Sequence, residues 1–596
     1  MMLGLLTSCH ALPSNVAVDL FPSQLQLPKD SCTDRRPPPE GRAFVSPAVE
    51  NSLQKLSRQM SLDPELACLF RNTLPNTLDT TVRRGALGTG TTFIITGDIN
   101  AMWLRDSTNQ VAPYLRFAKA DPKLAAMLSG VVRQQTLQIL ADPYANAHYL
   151  TSSPVKSPNS DDDTSSPSPT CKASNGNTSY MGSRVNGMRP GIFERKFELD
   201  SLLAFLKLSR SLHEALIDEQ GSPNAEALHG GSPADDASSG GRLGAAGPDW
   251  RSSLSHVPDQ SLPYDASWLK AVRLVLDTLD DQSMSSASDA AAPCGPAYFF
   301  QRSNLVGQGP LDTLLKGVGT PTAYTGMVRS AFRPSDDACT YGFHIPANAM
   351  AVVELRRIAA LLRKLGRMSD IPRAVSDEAE RLDEARDDGF VADADELARR
   401  CDSTAARISA GIARHGVIHR PELGGDVYAY EVDGFGNAIL MDDANVPSLL
   451  SLPYLGFVKE TDPTYMRTRT YVLSNASNPW YFVGSAGEGI GGPHIGAGAI
   501  WPMSIIMRAL TSRNDSEIST AISTLKASAA VPHSWLMHES FSASDASRYT
   551  RPWFAWANSL FGELIMKVSA ERPHLVGIPR TRGRGGIEDR DEGQHK

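Results

Sequence analysis

The chain has 596 residues, 41% of them hydrophobic and 21% charged, with a net charge of -8. This is the composition of a globular protein with enough chain for a large core. The acidic balance and the lack of any dominant basic stripe exclude a nucleic-acid binder, and no run approaches the roughly 18 apolar residues of a membrane span.

Residues 1–45 are Pro-rich, weakly patterned and end in RRPPPE, which predicts a leader or tail. The start, MMLGLLTSCHALPSN, has a short apolar core without a basic flank and makes a poor secretory signal. Sequons begin at Asn177, Asn475 and Asn514; they tip the compartment only slightly toward the secretory pathway, and a cytoplasmic location stays open. Residues 150–185 (Ser, Asp, Pro) and 218–262 (Gly, Ser, Ala, Asp) lack the apolar content to offset ordering entropy and read as insertions into a structured body. A charged, Gly-rich tail is expected from about residue 577. The seven cysteines (Cys9, Cys32, Cys68, Cys171, Cys294, Cys339 and Cys401) are scattered with no C-x-x-C, so a zinc ribbon is not indicated and one or two disulfides are allowed.

Between the insertions the pattern is helical. From Glu198 to Ala215 the residues Leu199, Leu202, Leu203, Leu206 and Leu212 fall near one face; from Ala351 to Leu365, Leu355, Ile358, Ala359 and Leu362 repeat at i, i+3, i+4, i+7. Residues 374–413 read as solvent-facing helices, and Tyr549 to Val568 as an aromatic, then apolar helix. Strand-like alternation is scarce. Gly- and Pro-rich motifs such as VDGFGNA and GEGIGGPHIGAG fall between helices, the layout of helical hairpins whose loops carry a site.

Six clusters carry polar chemistry. TGDINAMWLRDS places Asp98, Trp103, Arg105 and Asp106 together, a combination that binds sugar hydroxyls and covers a pyranose face, or equally forms a buried ion pair. In FERKFELDS, Glu198 and Asp200 either contact substrate or favour a helix N-terminus. RPSDDA offers Asp336 and Asp337; a following helix would be capped by Ser335 or Asp336, leaving the other acid free, and repulsion between the two would lift one pKa toward the range of a general acid. EVDG and MDDANVP supply Glu431, Asp433, Asp442 and Asp443 as shaping or hydroxyl-binding groups. GGPHIG followed by IWP brings His494 and Trp501, with glycines that let backbone approach a ligand closely. MHESF and TRPWFAWAN bring His538, Glu539 and Arg551, with Glu539 either a base or a paired surface acid. H-E-x-x-H, G-x-S-x-G and Walker A motifs are missing. Paired carboxylates with aromatic platforms are what glycosidic-bond chemistry uses.

TGDINAMWLRDS, FERKFELDSLL, RPSDDACTYGFHIPAN, EVDGFGNAILMDDANVPSLLSLPYLG, GIGGPHIGAGAIWPMSIIMRALTS, and HESF with TRPWFAWANSLFGELI resemble, in order, glycoside hydrolase family 125, the metal-independent exo-α-1,6-mannosidases. The resemblance runs from about Val49 to about Val568, departing from the family pattern in the insertions, the leader and Asn100, which stands where Pro is expected. It implies an all-α (α/α)6 barrel over 46–576, no metal or other cofactor, and inverting release of non-reducing α-1,6-linked mannose from an N-glycan or mannan. It implies Asp336 or Asp337 as general acid, with Asp336 favoured, and Glu539 as general base. Sugar contacts are expected from Asp98, Trp103, Arg105, Asp106, His494, Trp501, His538 and Arg551. The rival readings are another (α/α)6 glycosidase, glucoamylase- or trehalase-like, and a catalytically silent mannan-binding protein.

Overall fold

A computed structural model describes residues 32–84, 90–150, 188, 190–217, 262–292, 295–302, 310–369, 377–531 and 533–579. The expected insertions, all but their edges, most of the leader and the tail from 580 onward lie outside the described residues.

Local sequence sets many helix starts. Ser46, Asp63, Asp121 and Asp462 each precede a proline at the first helical position, and each side chain accepts backbone N–H groups of the first turn. The proline has no N–H to orphan there, and the cap satisfies a donor that the helix cannot. The leucine-striped segment forms the helix Leu199–Ile217, with Leu199, Leu202, Leu203, Leu206 and Leu212 all buried. Each such side chain contributes roughly 1.5–3 kcal/mol by leaving water. The second striped segment extends to Ile345–Ser369.

Helices pack one on the next in an incomplete circuit. Leu104–Val111 lies against Leu199–Ile217, which lies against Ile345–Ser369, which touches the short helix Leu452–Leu455. Pro502–Leu510 packs on Ala555–Glu571, and Ala555–Glu571 returns to Leu104–Val111. Further helices cover this set: Pro122–Ala141 with Ala266–Asp281, Asp377–Gly411 along Ile345–Ser369, and Asp515–Ala530 along Pro502–Leu510. The segment read as solvent-facing helices is thus one long helix. Its Ala394, Leu397, Ala398, Cys401, Ala405 and Ile408 are buried, because alanine spacing lets it sit close against its neighbour. No described helix is long and apolar enough to cross a membrane.

Short antiparallel strands appear where the sequence showed no alternation. Met102–Trp103, Ala147–His148 and Ile192–Glu194 form one sheet; Phe343–His344, Glu431–Val432 and Ala438–Ile439 a second; Ala499–Ile500, Ser540–Ser542 and Asp545–Thr550 a third. Most are two or three residues long, too short for a period of two to register. Several lead straight into a helix of the circuit: Trp103 into Leu104–Val111, His344 into Ile345–Ser369, Ile500 towards Pro502–Leu510.

Four readings need correction. Tyr549 and Thr550 are strand, and the helix starts only at Ala555, because Arg551 has a left-handed backbone (φ +49°) and Pro552 follows it. The next helix after RPSDDA starts only at Ile345, so neither Ser335 nor Asp336 is an N-cap; Phe332 bridges Ala338 across a tight loop. GEGIGG is not all loop, since Gly487–Ile490 is a strand paired with Tyr481–Gly484. Its glycines give room to protein and not to a ligand: a Cβ on Gly492 would stand 2.8 Å from Asp443 Oδ2. Finally, residues 32–45, read as part of the leader, are tied to the body by the Cys32–Cys68 disulfide and by Arg36, whose Nε donates to Asp79 at 2.7 Å.

Candidate active site

A cavity of about 280 Å³ opens where helices of the circuit begin. Trp103, Trp501 and Phe554 line it and are the N-cap residues of Leu104–Val111, Pro502–Leu510 and Ala555–Glu571. None makes a side-chain cap, so the positive ends of three helix dipoles are directed toward the cavity and favour carboxylates there.

Eight of the eleven residues singled out in the sequence line this cavity: Trp103, Arg105, Asp106, Asp336, His494, Trp501, Glu539 and Arg551. The other three do not line it. Asp98 binds the Arg551 guanidinium. Asp337 is turned away, Oδ1 on His494 Nδ1 (3.2 Å) and Oδ2 on the Ser335 hydroxyl (3.3 Å). His538 is buried, with Nε2 on the Ser534 hydroxyl and Nδ1 on the Arg551 carbonyl (both 3.1 Å), its ring stacked on Tyr549. It braces Arg551 instead of reaching the cavity.

The loop geometry explains why Asp336 and not its neighbour faces inward. Asp336 N–H donates to the Arg333 carbonyl and Arg333 N–H to the Asp337 carbonyl, closing a turn with Asp336 at φ +68°. Asp tolerates this left-handed conformation better than most residues, yet such backbone typically costs about 1–3 kcal/mol and gathers at functional sites. The result leaves the Asp336 side chain 24% exposed and that of Asp337 9%. Glu539, at 11%, accepts from Arg551 Nη1 at 3.3 Å.

Arg105 anchors the acidic wall. It is 5% exposed and meets Glu198 at 2.6 Å, Asp106 at 3.2 Å, Asp200 at 3.5 Å and Asp336 at 3.6 Å. Glu198 and Asp200 therefore act in this charge cluster as well as standing at a helix start. Burial, aided by Asp336, pushes the Asp106 carboxyl up against the pull of Arg105. Burial likewise lifts Asp200 to about 6. Burial also raises Glu198 well above the carboxylate range, with the Asp336 and Asp200 charges adding to it. Asp336 goes the other way: burial works upward, but Arg105, a hydrogen bond with Glu198, Lys196 and His494 together hold it below the ordinary range. Asp336 thus does not take the lift expected for a general acid, and the raised carboxyls beside it are Glu198 and Asp200. For His494 burial works downward, but Asp337, Asp336 and Glu539 raise it to about 9, so it is a cation at neutral pH.

Several polar atoms of lining residues are buried without a protein partner among the described residues: Trp103 Nε1, Trp501 Nε1, Arg105 Nε and Arg551 Nε. Among the described residues no group of three or more His, Cys, Asp or Glu side chains could hold a metal ion. Sequence reasoning missed Thr96, Ile99, Pro334, Ser335, Asn445, Phe554 and Trp556 as lining residues. All lie within or beside the quoted motifs, and the Trp-Phe-Ala-Trp run was the usable signal. Glu431, by contrast, is structural: it accepts from Arg333 Nε at 2.5 Å and from the Thr340 and Tyr341 N–H groups at 2.9 Å. Asp442 holds the Leu449 and Leu450 N–H groups and Asp443 holds Asn445, so both shape a turn.

A family model described as metal-independent alpha-mannosidase (GH125) matches residues 63–226 and 253–566. The unmatched stretch falls inside the second expected insertion. The Meiotically up-regulated gene 157 protein of Schizosaccharomyces pombe (strain 972 / ATCC 24843) is 38% identical over 548 residues, 91% of this chain and 89% of that one. A solved structure from Streptococcus pneumoniae superposes with a TM-score of 0.67 at 30% identity, covering 89% of this chain and 100% of that one. It is a non-productive complex with alpha-1,6-mannobiose, from a family of metal-independent alpha mannosidases linked to processing of N-linked glycans.

Proposed function

The chain belongs to glycoside hydrolase family 125, the metal-independent α-mannosidases, and from that premise we propose that it is an exo-acting, inverting α-1,6-mannosidase working on the mannose ends of an N-glycan or mannan. The observation that carries this is the cavity with Asp336 and Glu539 both in its wall, in a site of small-ligand size. The bound α-1,6-mannobiose of the Streptococcus pneumoniae structure supports the linkage.

In this reading Asp336 is the general acid. It gives its proton to the glycosidic oxygen as the bond from that oxygen to C1 breaks. Glu539 is the general base, taking a proton from the water that attacks C1 from the opposite face. Arg551 holds Glu539 in place by a hydrogen bond, and Asp98 and His538 hold Arg551 in turn. Arg105, Asp106, Trp103, Trp501 and His494 hold the mannose ring through its hydroxyls and its apolar face. Asp337 acts through His494, keeping it charged beside the reacting carboxyls. No step calls for a metal or other cofactor.

For the fold, we propose an (α/α)6 barrel spanning about 46–576, with inner helices being those of the circuit and the two low-complexity segments inserted between them. The unbroken packing from Leu452–Leu455 through Ile345–Ser369, Leu199–Ile217, Leu104–Val111 and Ala555–Glu571 to Pro502–Leu510 supports it. The Cys32–Cys68 disulfide supports residence in an oxidising compartment.

The test is a linkage panel. The full chain should release mannose from α-1,6-mannobiose and leave the α-1,2- and α-1,3-linked disaccharides intact. Release from either of those with α-1,6-mannobiose untouched would overturn the assigned specificity. Hydrolysis of α-glucosides alone would return the assignment to the glucoamylase-like alternative.

A further inference from the structure

A general acid must hold a proton until the leaving oxygen takes it, yet the cations around Asp336 favour its bare carboxylate. Arg105 reaches it from Leu104–Val111, Lys196 from the segment ahead of Leu199–Ile217, and His494 from the Gly-rich loop. Lys196 Nζ also donates to the Asp336 carbonyl at 2.7 Å. The remaining charges are largely spoken for. Glu194 and Asp312 partner both Lys196 and Arg302, Asp337 partners His494, and Arg551 partners Glu539 and Asp98. Asp106 and Asp200 share Arg105. Carboxyls outnumber cations in this set, which favours a proton on the most deeply buried of them.

Glu198 is where the geometry puts it. Its side chain is 0% exposed. Its Oε1 and Asp336 Oδ1 each lie 3.3 Å from the same amide nitrogen, Asn146 Nδ2. Its Oε2 accepts from Arg105 Nη1 at 2.6 Å and the Ser201 hydroxyl at 2.8 Å. The Glu198 and Asp336 carboxyls thus converge on one amide nitrogen and one guanidinium, that of Arg105, where two bare carboxylates repel and a shared proton relieves the repulsion.

We infer that Glu198 and Asp336 share one proton in the resting site, so that Glu198 is the positioning residue that keeps a proton within reach of the general acid. This rests on the reading of Asp336 as the acid. Burial, with the neighbouring Asp336 and Asp200 charges, raises Glu198 and so places the resting proton on its side. During turnover the O–H bond of Glu198 breaks as an O–H bond forms on Asp336. That proton then passes to the glycosidic oxygen as the bond from it to C1 breaks. Water oxygen bonds to C1, and the proton it loses goes to Glu539. Solvent then removes the proton from Glu539 and returns one to the pair.

Glu198→Gln tests this. A glutamine donates N–H to Asp336 and carries no transferable proton, so Asp336 stays ionised. Turnover of α-1,6-mannobiose near pH 7 is expected to fall on the order of 10²-fold with KM little changed. The basic limb of the kcat profile should move to lower pH. Turnover of 2,4-dinitrophenyl α-mannoside, whose leaving group needs no proton, should fall far less. Equal losses on both substrates with an unmoved basic limb would assign Glu198 a structural role and overturn the inference. If Glu198→Gln does not fold, infrared difference spectra of glutamate-labelled wild type and Asp336→Asn take over: loss of one protonated glutamate carbonyl in the variant is expected, and no loss overturns the proposal. Wild type that cleaves no mannoside would instead defeat the reading of the site itself.

Discussion

Replacing Arg105 by Met probes the acidic wall most sharply. The guanidinium is the shared partner of Glu198, Asp106, Asp200 and Asp336, all within 3.6 Å. Removing one side of a buried ion pair costs about 3–5 kcal/mol. The carboxyls left behind set the pH dependence. Even beside Arg105, Asp200 sits near 6 against an ordinary 3.8, with its side chain 1% exposed. At ~1.4 kcal/mol per unit, that carboxyl alone opposes folding by about 3 kcal/mol above pH 6. Without Arg105 the pKa values of Glu198, Asp106 and Asp200 rise further above their unfolded values, and Asp336 loses the main pull that holds it low. A carboxyl raised in this way leaves stability intact below its unfolded pKa and erodes it as pH rises through the folded one. Arg105→Met should therefore lose about 3–5 kcal/mol relative to wild type at pH 8, with the deficit narrowing steadily toward pH 4.5. Guanidinium unfolding followed by tryptophan fluorescence across that range measures it. A deficit that stays constant with pH, or one below about 1 kcal/mol at pH 8, would refute the account of this wall.

Glu539→Gln should cut kcat on α-1,6-mannobiose by about 10²–10⁴-fold while calorimetry still shows sugar binding; near-normal turnover would remove Glu539 from the base role. His494, raised to about 9, stabilises the fold fully below pH 6.5 and loses that contribution as pH climbs through 9. The stability gap between wild type and His494→Gln should accordingly close from pH 6.5 to 9.5, and a gap that widened would contradict the Asp337–His494 pair. Breaking the Cys32–Cys68 disulfide, which spans 36 positions, should lower stability by about 4 kcal/mol; an unchanged denaturation midpoint in Cys32→Ala would show that residues 32–45 are held by contacts such as Arg36–Asp79 alone.

The helices were legible because they run long enough for a period to register: Leu199–Ile217 and Ile345–Ser369 each bury a full apolar stripe. The strands were not, since Met102–Trp103 or Phe343–His344 offer two residues each and form through pairing across distant loops. The site was readable as residue types, since carboxylates, Arg and Trp stood in compact motifs. Their orientation was not. His538 adjoins Glu539 in sequence yet turns to Ser534 and Tyr549, while Glu539 lines the cavity. Adjacent Asp336 and Asp337 are separated in role by one left-handed φ angle. The proton balance of Glu198 depends on Arg105, Asn146 and Asp336, which the fold alone assembles.

The central claim is inversion by Asp336 and Glu539 in one cavity. Proton NMR of α-1,6-mannobiose mixed with the full chain reads it directly, before mutarotation blurs the result. With inversion, β-mannose appears first and the α anomer grows in later. First appearance of α-mannose would mean a retaining mechanism, with a carboxylate attacking C1, and would contradict the assignment of Glu539 as a base acting through water.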